Sequence, residues 1–67
     1  MNAGKIIRIL RTVPPNTEVV LSIDPEGNEY SPARSHSTAL LTPAGDVVAT
    51  SDQKDFPDAI PCIVLWP

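Results

Sequence analysis

The chain predicts an α+β domain, a short N-terminal helix packed on a small, mostly antiparallel sheet of four to five strands, forming a single domain over 1–67. Three observations lead there. Apolar residues first recur at helical spacing, at Ile6, Ile9, Leu10 and Val13. Pro14-Pro15 then stops any helix, because a proline forces the residue before it out of the α region and supplies no N–H. Beyond it come short runs rich in Val, Ile and Thr, punctuated by Pro and Gly, and β-branched residues of this kind favour a pleated surface.

The helix is expected over residues 3–12. Asn2 is placed to cap its N-terminus, and Lys5, Arg8 and Arg11, three apart, take the side opposite the apolar stripe. Two to three turns do not persist alone in water, so packing must hold them. The run after the prolines, 18–23, reads as the first strand, with Val19, Leu21 and Ile23 on one side and Glu18, Val20 and Ser22 on the other. Asp24-Pro25-Glu26-Gly27 has the composition of a type I turn followed by a left-handed glycine. A short return strand is therefore expected over 28–31, ended by Pro32.

Residues 33–36 form a loop on this reading. A second hairpin follows, with strands at 37–42 and 47–50 around the turn Pro43-Ala44-Gly45-Asp46. Residues 51–59 are polar and broken by proline, which predicts a surface loop with Phe56 tucked against the body. Ile60 to Trp66 makes the last strand, with Pro61 at its start. Cys62, Ile63, Val64, Leu65 and Trp66 are apolar on both faces, which predicts a strand covered on both sides and lying beside 18–23.

Composition supports a folded but small core. The chain has 67 residues, of which 42% are hydrophobic and 19% charged, with eight prolines. A chain this size buries only about 60% of its unfolded surface. Tyr30, Phe56 and Trp66 are its aromatics, so the core is aliphatic. One cysteine, Cys62, excludes an internal disulfide and points to a reducing compartment. No apolar run approaches the roughly 20 residues that span a bilayer, and the N-terminus lacks a signal-peptide core. A soluble, intracellular protein is expected.

The net charge of −3 does not favour nucleic acid, which calls for clustered Lys and Arg on phosphate. Charge is unevenly distributed: the first 11 residues carry Lys5, Arg8 and Arg11 and no acid, whereas all the acids lie beyond. Ordinary solvated charge explains most such asymmetry.

Little in the chain is arranged for catalysis. His36 and Cys62 could form a nucleophile–base pair, but a cysteine beside Ile63 in a strand is more often a small buried hydrophobe. One His and one Cys do not make a zinc site. Asp52, Asp55 and Asp58 recur every three residues, and Asp24, Glu26 and Glu29 cluster at a turn, yet neither group has the glycine and Glu register of a calcium loop. The glycines at 4, 27 and 45 are isolated and make no phosphate-cradling loop. We therefore read the chain as non-enzymatic, with no cofactor and no metal. Exposed surface is the expected medium of function, with Asp24, Glu26, Glu29, Tyr30, Asp52, Asp55, Asp58 and Trp66 as candidate partner-binding residues. The Trp66 ring would serve as a lid over the core or as an anchor for a partner, and a small sheet's need for bulk favours the lid. Should the helix leave one face open, Val20, Val48 or Val64 would form a patch for self-association.

Three segments carry a resemblance. They are the helix running into Pro14-Pro15-Asn16-Thr17-Glu18-Val19-Val20-Leu21-Ser22, then Glu26-Gly27-Asn28-Glu29-Tyr30-Ser31-Pro32, then Asp58-Ala59-Ile60-Pro61 leading to Ile63-Val64-Leu65-Trp66-Pro67. In that order they resemble a group of small proteins encoded by bacteriophages and prophages, which share a Leu-Pro-Pro-Asp-Thr type helix–strand junction, an acidic Glu-Gly-Asn turn and a Val-Leu-Trp-Pro ending. The likeness covers about half the chain, departs from the group at Val13 and Asn16, and does not include 33–57. The group has no established activity, so no catalytic residue carries over. What the resemblance implies is a phage accessory protein in the host bacterial cytoplasm that binds a host protein, as an inhibitor of a host or defence system. The alternatives are an oligomeric module that sequesters a small ligand and a virion-associated structural protein.

Overall fold

Asn2 and the two prolines bound the first element as their chemistry requires. The computed structural model describes residues 1–23, 27 and 29–67. Helix α1 (Ala3–Leu10) is capped by Asn2, whose Oδ1 accepts the Lys5 N–H at 2.9 Å. Thr12 closes the C-terminal turn by donating both N–H and hydroxyl to the Ile9 carbonyl. Lys5, Arg8 and Arg11 face solvent, as the spacing predicts. The opposite stripe is only half covered: Ile6, Ile9 and Val13 are half-buried, while Ile7 and Leu10 are exposed. The helix contributes no buried residue, so the expected close packing across one sheet face is not what the structure shows. Its start is tied instead through the Met1 ammonium, which donates to the Ala33 carbonyl.

Among the described residues the sheet has four strands, β1 (Glu18–Leu21), β2 (Ser35–Leu41), β3 (Val47–Val48) and β4 (Ile60–Trp66), in the order β1-β4-β2-β3. The α+β class holds. The sheet is mixed rather than mostly antiparallel, and a fifth strand is not present among these residues. β4 runs parallel to β1, with Val20 opposite Val64, and antiparallel to β2, with Ala39 opposite Cys62. The mixed character arises because the last strand inserts between the first two, which keeps β1 and β2 from pairing as a hairpin.

The return strand expected over 28–31 is not present among the described residues: Glu29, Tyr30 and Ser31 form no strand. The turn proposed at Asp24-Pro25-Glu26 lies outside the described residues, as does Asn28. β2 begins at Ser35, two residues before the expected start, because Arg34 N–H already bonds the Trp66 carbonyl at 2.8 Å and the pairing continues from there. Ser35 and His36 are therefore strand, not loop.

The second hairpin forms as its residues dictate. Gly45 N–H donates to the Thr42 carbonyl at 2.9 Å, with Pro43 in the second turn position, and Gly45 takes φ +90°, a conformation glycine adopts without strain. Thr42 is buried and binds Asp46 twice, its N–H to the Asp46 carbonyl and its Oγ1 to the Asp46 N–H. The return strand β3 is only two residues long, and Thr50–Asp52 forms a 3₁₀ turn where the strand was expected to continue.

Pro61 is tolerated inside the central strand for a positional reason. Arg34 bonds the Trp66 carbonyl on the β2 side, and Ser22 bonds the Leu65 carbonyl on the β1 side. Odd residues of β4 thus direct their backbone groups toward β1. β1 starts only at Glu18, opposite Cys62, so the N–H that Pro61 lacks would have met no strand.

β4 supplies the core. Cys62, Ile63 and Val64 are the largest fully buried side chains, joined by Ala39, Leu40 and Ala59. Cys62 and Val64 pack with Ala39, Val20 and Leu41 on one face. Ile63 and Leu40 are buried on the other. We expect Ile63→Ala to cost about 2–5 kcal/mol by leaving a cavity, which in so small a core shifts most of the protein to the unfolded state. Tyr30→Ala should stay within about 0.5 kcal/mol. Chemical denaturation followed by circular dichroism checks both, and equal losses would contradict the assignment of the core.

Candidate functional site

β1 exposes the side of its alternation that carries Val19, Leu21 and Ile23. Val20 joins the core cluster, because the register sets it opposite Val64 on a covered face. Val19 is partly exposed, and Leu21 and Ile23 are 75% and 88% exposed. β4 is apolar on both faces, so the sheet is covered on both sides only over its centre. An edge strand's side chains on the Ile63 face extend past that cover. The proposed patch of Val20, Val48 and Val64 does not exist as a surface: Val64 is buried, Val20 and Val48 are half-buried, and the register sets Val48 on the opposite face from the other two. What alternation along β1 alone could not show is that, among the described residues, the strand has a neighbour on one side only.

The candidate partner-binding residues divide between the two ends of the sheet. The connection from β1 to β2 leaves and returns at the C-terminal end of β4, where Trp66 lies; Glu29 and Tyr30 belong to this connection and are exposed. Tyr30 is 89% exposed. Asp24 and Glu26 belong to this connection but lie outside the described residues. Asp52, Asp55 and Asp58 occupy the loop that enters β4 at Ile60, at the other end of a strand of seven residues, or about 20 Å away. Asp52 there is half-buried, and its carbonyl accepts the N–H groups of Asp55 and Phe56. Asp55 and Asp58 are exposed, and Phe56 is only partly covered.

Trp66 is partly covered: the residue is 41% exposed, and its Nε1 donates to Ser37 Oγ at 2.9 Å. That bond fixes the ring across β2 and β4 while leaving apolar area in solvent.

His36 and Cys62 are held apart. Cys62 points into the covered face with Ala39, whereas His36 is exposed and pairs with Leu65 on the other face. Burial pushes the Cys62 thiol above its ordinary range, with a backbone hydrogen bond from Ala39 acting in the opposite direction. Among the described residues no group of three or more His, Cys, Asp or Glu could hold a metal ion, and no helix is long and apolar enough to cross a membrane. Two adjoining clefts flank Glu18 and Ile60. One, of about 280 Å³, is completed by Leu41, Thr42, Pro43 and Asp58. The other, of about 350 Å³, is completed by Pro14, Asn16, Thr17 and Pro61. Both are at or below the small end of the roughly 300–1,000 Å³ typical of ligand pockets. Comparison with protein-family models, with curated proteins and with solved structures gave no match.

Because the folded pKa of Cys62 is raised, the neutral thiol stabilises the fold fully below the unfolded thiol's pKa, and this contribution is lost as pH rises through the folded value. Native protein should be inert to an aromatic disulfide reagent at neutral pH and react with one equivalent on unfolding. Denaturation midpoints should fall between neutral and strongly alkaline pH in the wild type more than in Cys62→Ala. Rapid labelling of the native thiol would contradict its burial.

Proposed function

We propose that this chain is a non-enzymatic phage accessory protein that acts in the host bacterial cytoplasm by binding a host protein, with inhibition of a host or defence system as the outcome. The observation that carries the reading is the exposure of Tyr30, 89% open to solvent beside the exposed carboxylate of Glu29. Solvent does not favour an aromatic ring held out in this way. Docked in a partner's pocket, a Tyr loses little conformational freedom and buries a large area, which is why it recurs at binding hot spots. Trp66, at the C-terminal end of β4 and anchored by Ser37, adds a second amphipathic ring.

The acids that share the connection with Tyr30 set the character of the partner. Glu29, with Asp24 and Glu26 in the same connection, favours a basic surface on the host protein and disfavours acidic ones. The three-segment likeness to phage-encoded proteins supports the cellular setting. The small clefts count against a ligand module built from a single chain.

Affinity capture from bacterial lysate tests the reading. The variant Asp24→Lys, Glu26→Lys, Glu29→Lys, Tyr30→Ala should lose the captured host protein at least tenfold while keeping the wild-type circular dichroism spectrum. Undiminished capture would remove this surface from the proposal.

A further inference from the structure

Among the described residues β1 has a free edge, and the backbone geometry shows what that edge offers. Ser22 bonds β4 through its N–H, so even residues of β1 face inward along the sheet and odd residues face outward. The N–H and C=O groups of Val19 and Leu21 thus line the outer edge, and among the described residues no backbone hydrogen bond reaches them. Natural sheets blunt such edges with very short strands, lysines or prolines. The opposite edge, β3, is blunted by being two residues long. β1 carries no Lys and no Pro, and its apolar Val19 and Leu21 side chains are exposed beside the open groups.

The chain also exposes too much surface for its mass. A compact protein of 7.2 kDa exposes about 4,100 Å², whereas this one exposes 5128 Å². Its radius of gyration is 12.7 Å, against about 10.9 Å for a compact chain of this length. Its thinnest dimension is 17 Å. The surplus of about 1,000 Å² is close to the roughly 800 Å² that each partner buries in a standard interface.

We propose that two copies of this chain pair antiparallel through their β1 edges, with Val19 of each opposite Leu21 of the other, joining two four-stranded sheets into one of eight. A two-fold axis at Val20 makes the contact self-complementary, as a closed dimer requires. The outward N–H and C=O groups of Val19 and Leu21 exchange ladder hydrogen bonds, and their side chains cover one another on the Ile63 face. Charge selects the antiparallel arrangement. Glu18 is the strand's one charged residue, and antiparallel pairing places the two copies of it at opposite ends, whereas parallel pairing would set like charges side by side. The surface is independent of the host-binding one, since Tyr30 and Glu29 lie in the connection beyond the strand.

Analytical ultracentrifugation of the full chain over a dilution series tests this. The wild type should sediment at twice 7.2 kDa and dissociate on dilution. Val19→Pro deletes an outward N–H without touching the β4 ladder, and Leu21→Lys places a charge at a site already exposed in the monomer. Both should be monomeric with an unchanged circular dichroism spectrum, and both should retain lysate capture if the host-binding reading also holds. A wild type that stays monomeric throughout overturns the proposal, even if Val19→Pro abolishes capture of a host protein, because the edge would then serve that partner. A dimer that survives both substitutions overturns it equally, placing the contact elsewhere.

Discussion

Everything in this fold depends on β4 having a strand on each side. Cys62, Ile63 and Val64 are the most deeply buried side chains, and they come from one strand of the sheet's interior. β1 and β2 do not touch as neighbours; each is held by β4 alone on that side. The strand arrives last in the chain, so the sheet closes only when its C-terminal residues insert between two segments made much earlier. Folding must therefore meet a non-local contact before any large apolar area is buried, which favours slow, cooperative assembly. α1, by contrast, holds on through a few half-buried residues and the Met1 ammonium.

Features set by local chemistry were legible in the sequence. The Asn2 cap needs only a side-chain oxygen three residues from a free N–H, and the hairpin at Thr42 to Asp46 needs only proline and glycine at fixed offsets. The central position of β4 was legible because a strand apolar on both faces has nowhere else to sit. The direction of the β1 pairing was not, since parallel and antiparallel neighbours ask for the same side chains. The return strand over 28–31 was proposed from turn composition at 24–27, and Glu29, Tyr30 and Ser31 form no strand, so that composition was not a sufficient signal for a hairpin. Which side of β1 is exposed was not legible, because alternation identifies two faces without saying which one is covered.

The site followed the same division. Sequence singled out Glu29, Tyr30 and Trp66, and the structure exposes all three. Trp66 is separated from the loop of Asp52, Asp55 and Asp58 by the length of β4. Val19 and Leu21 were missed as surface residues because their exposure arises from strand order, which is a property of the whole sheet. A thin layer with a small core and an unblunted edge gains most from a second layer or a second copy. The same edge that leaves the monomer marginal is what a partner would complete.

The central claim is that β4, not the helix, holds the molecule together, and native-state hydrogen exchange tests it most directly. The amides of Cys62, Ile63 and Val64 should exchange only through global unfolding, while those of α1 exchange orders of magnitude faster through local opening. Helix amides as slow as those of β4 would contradict the account, because the helix would then be part of the same cooperative core.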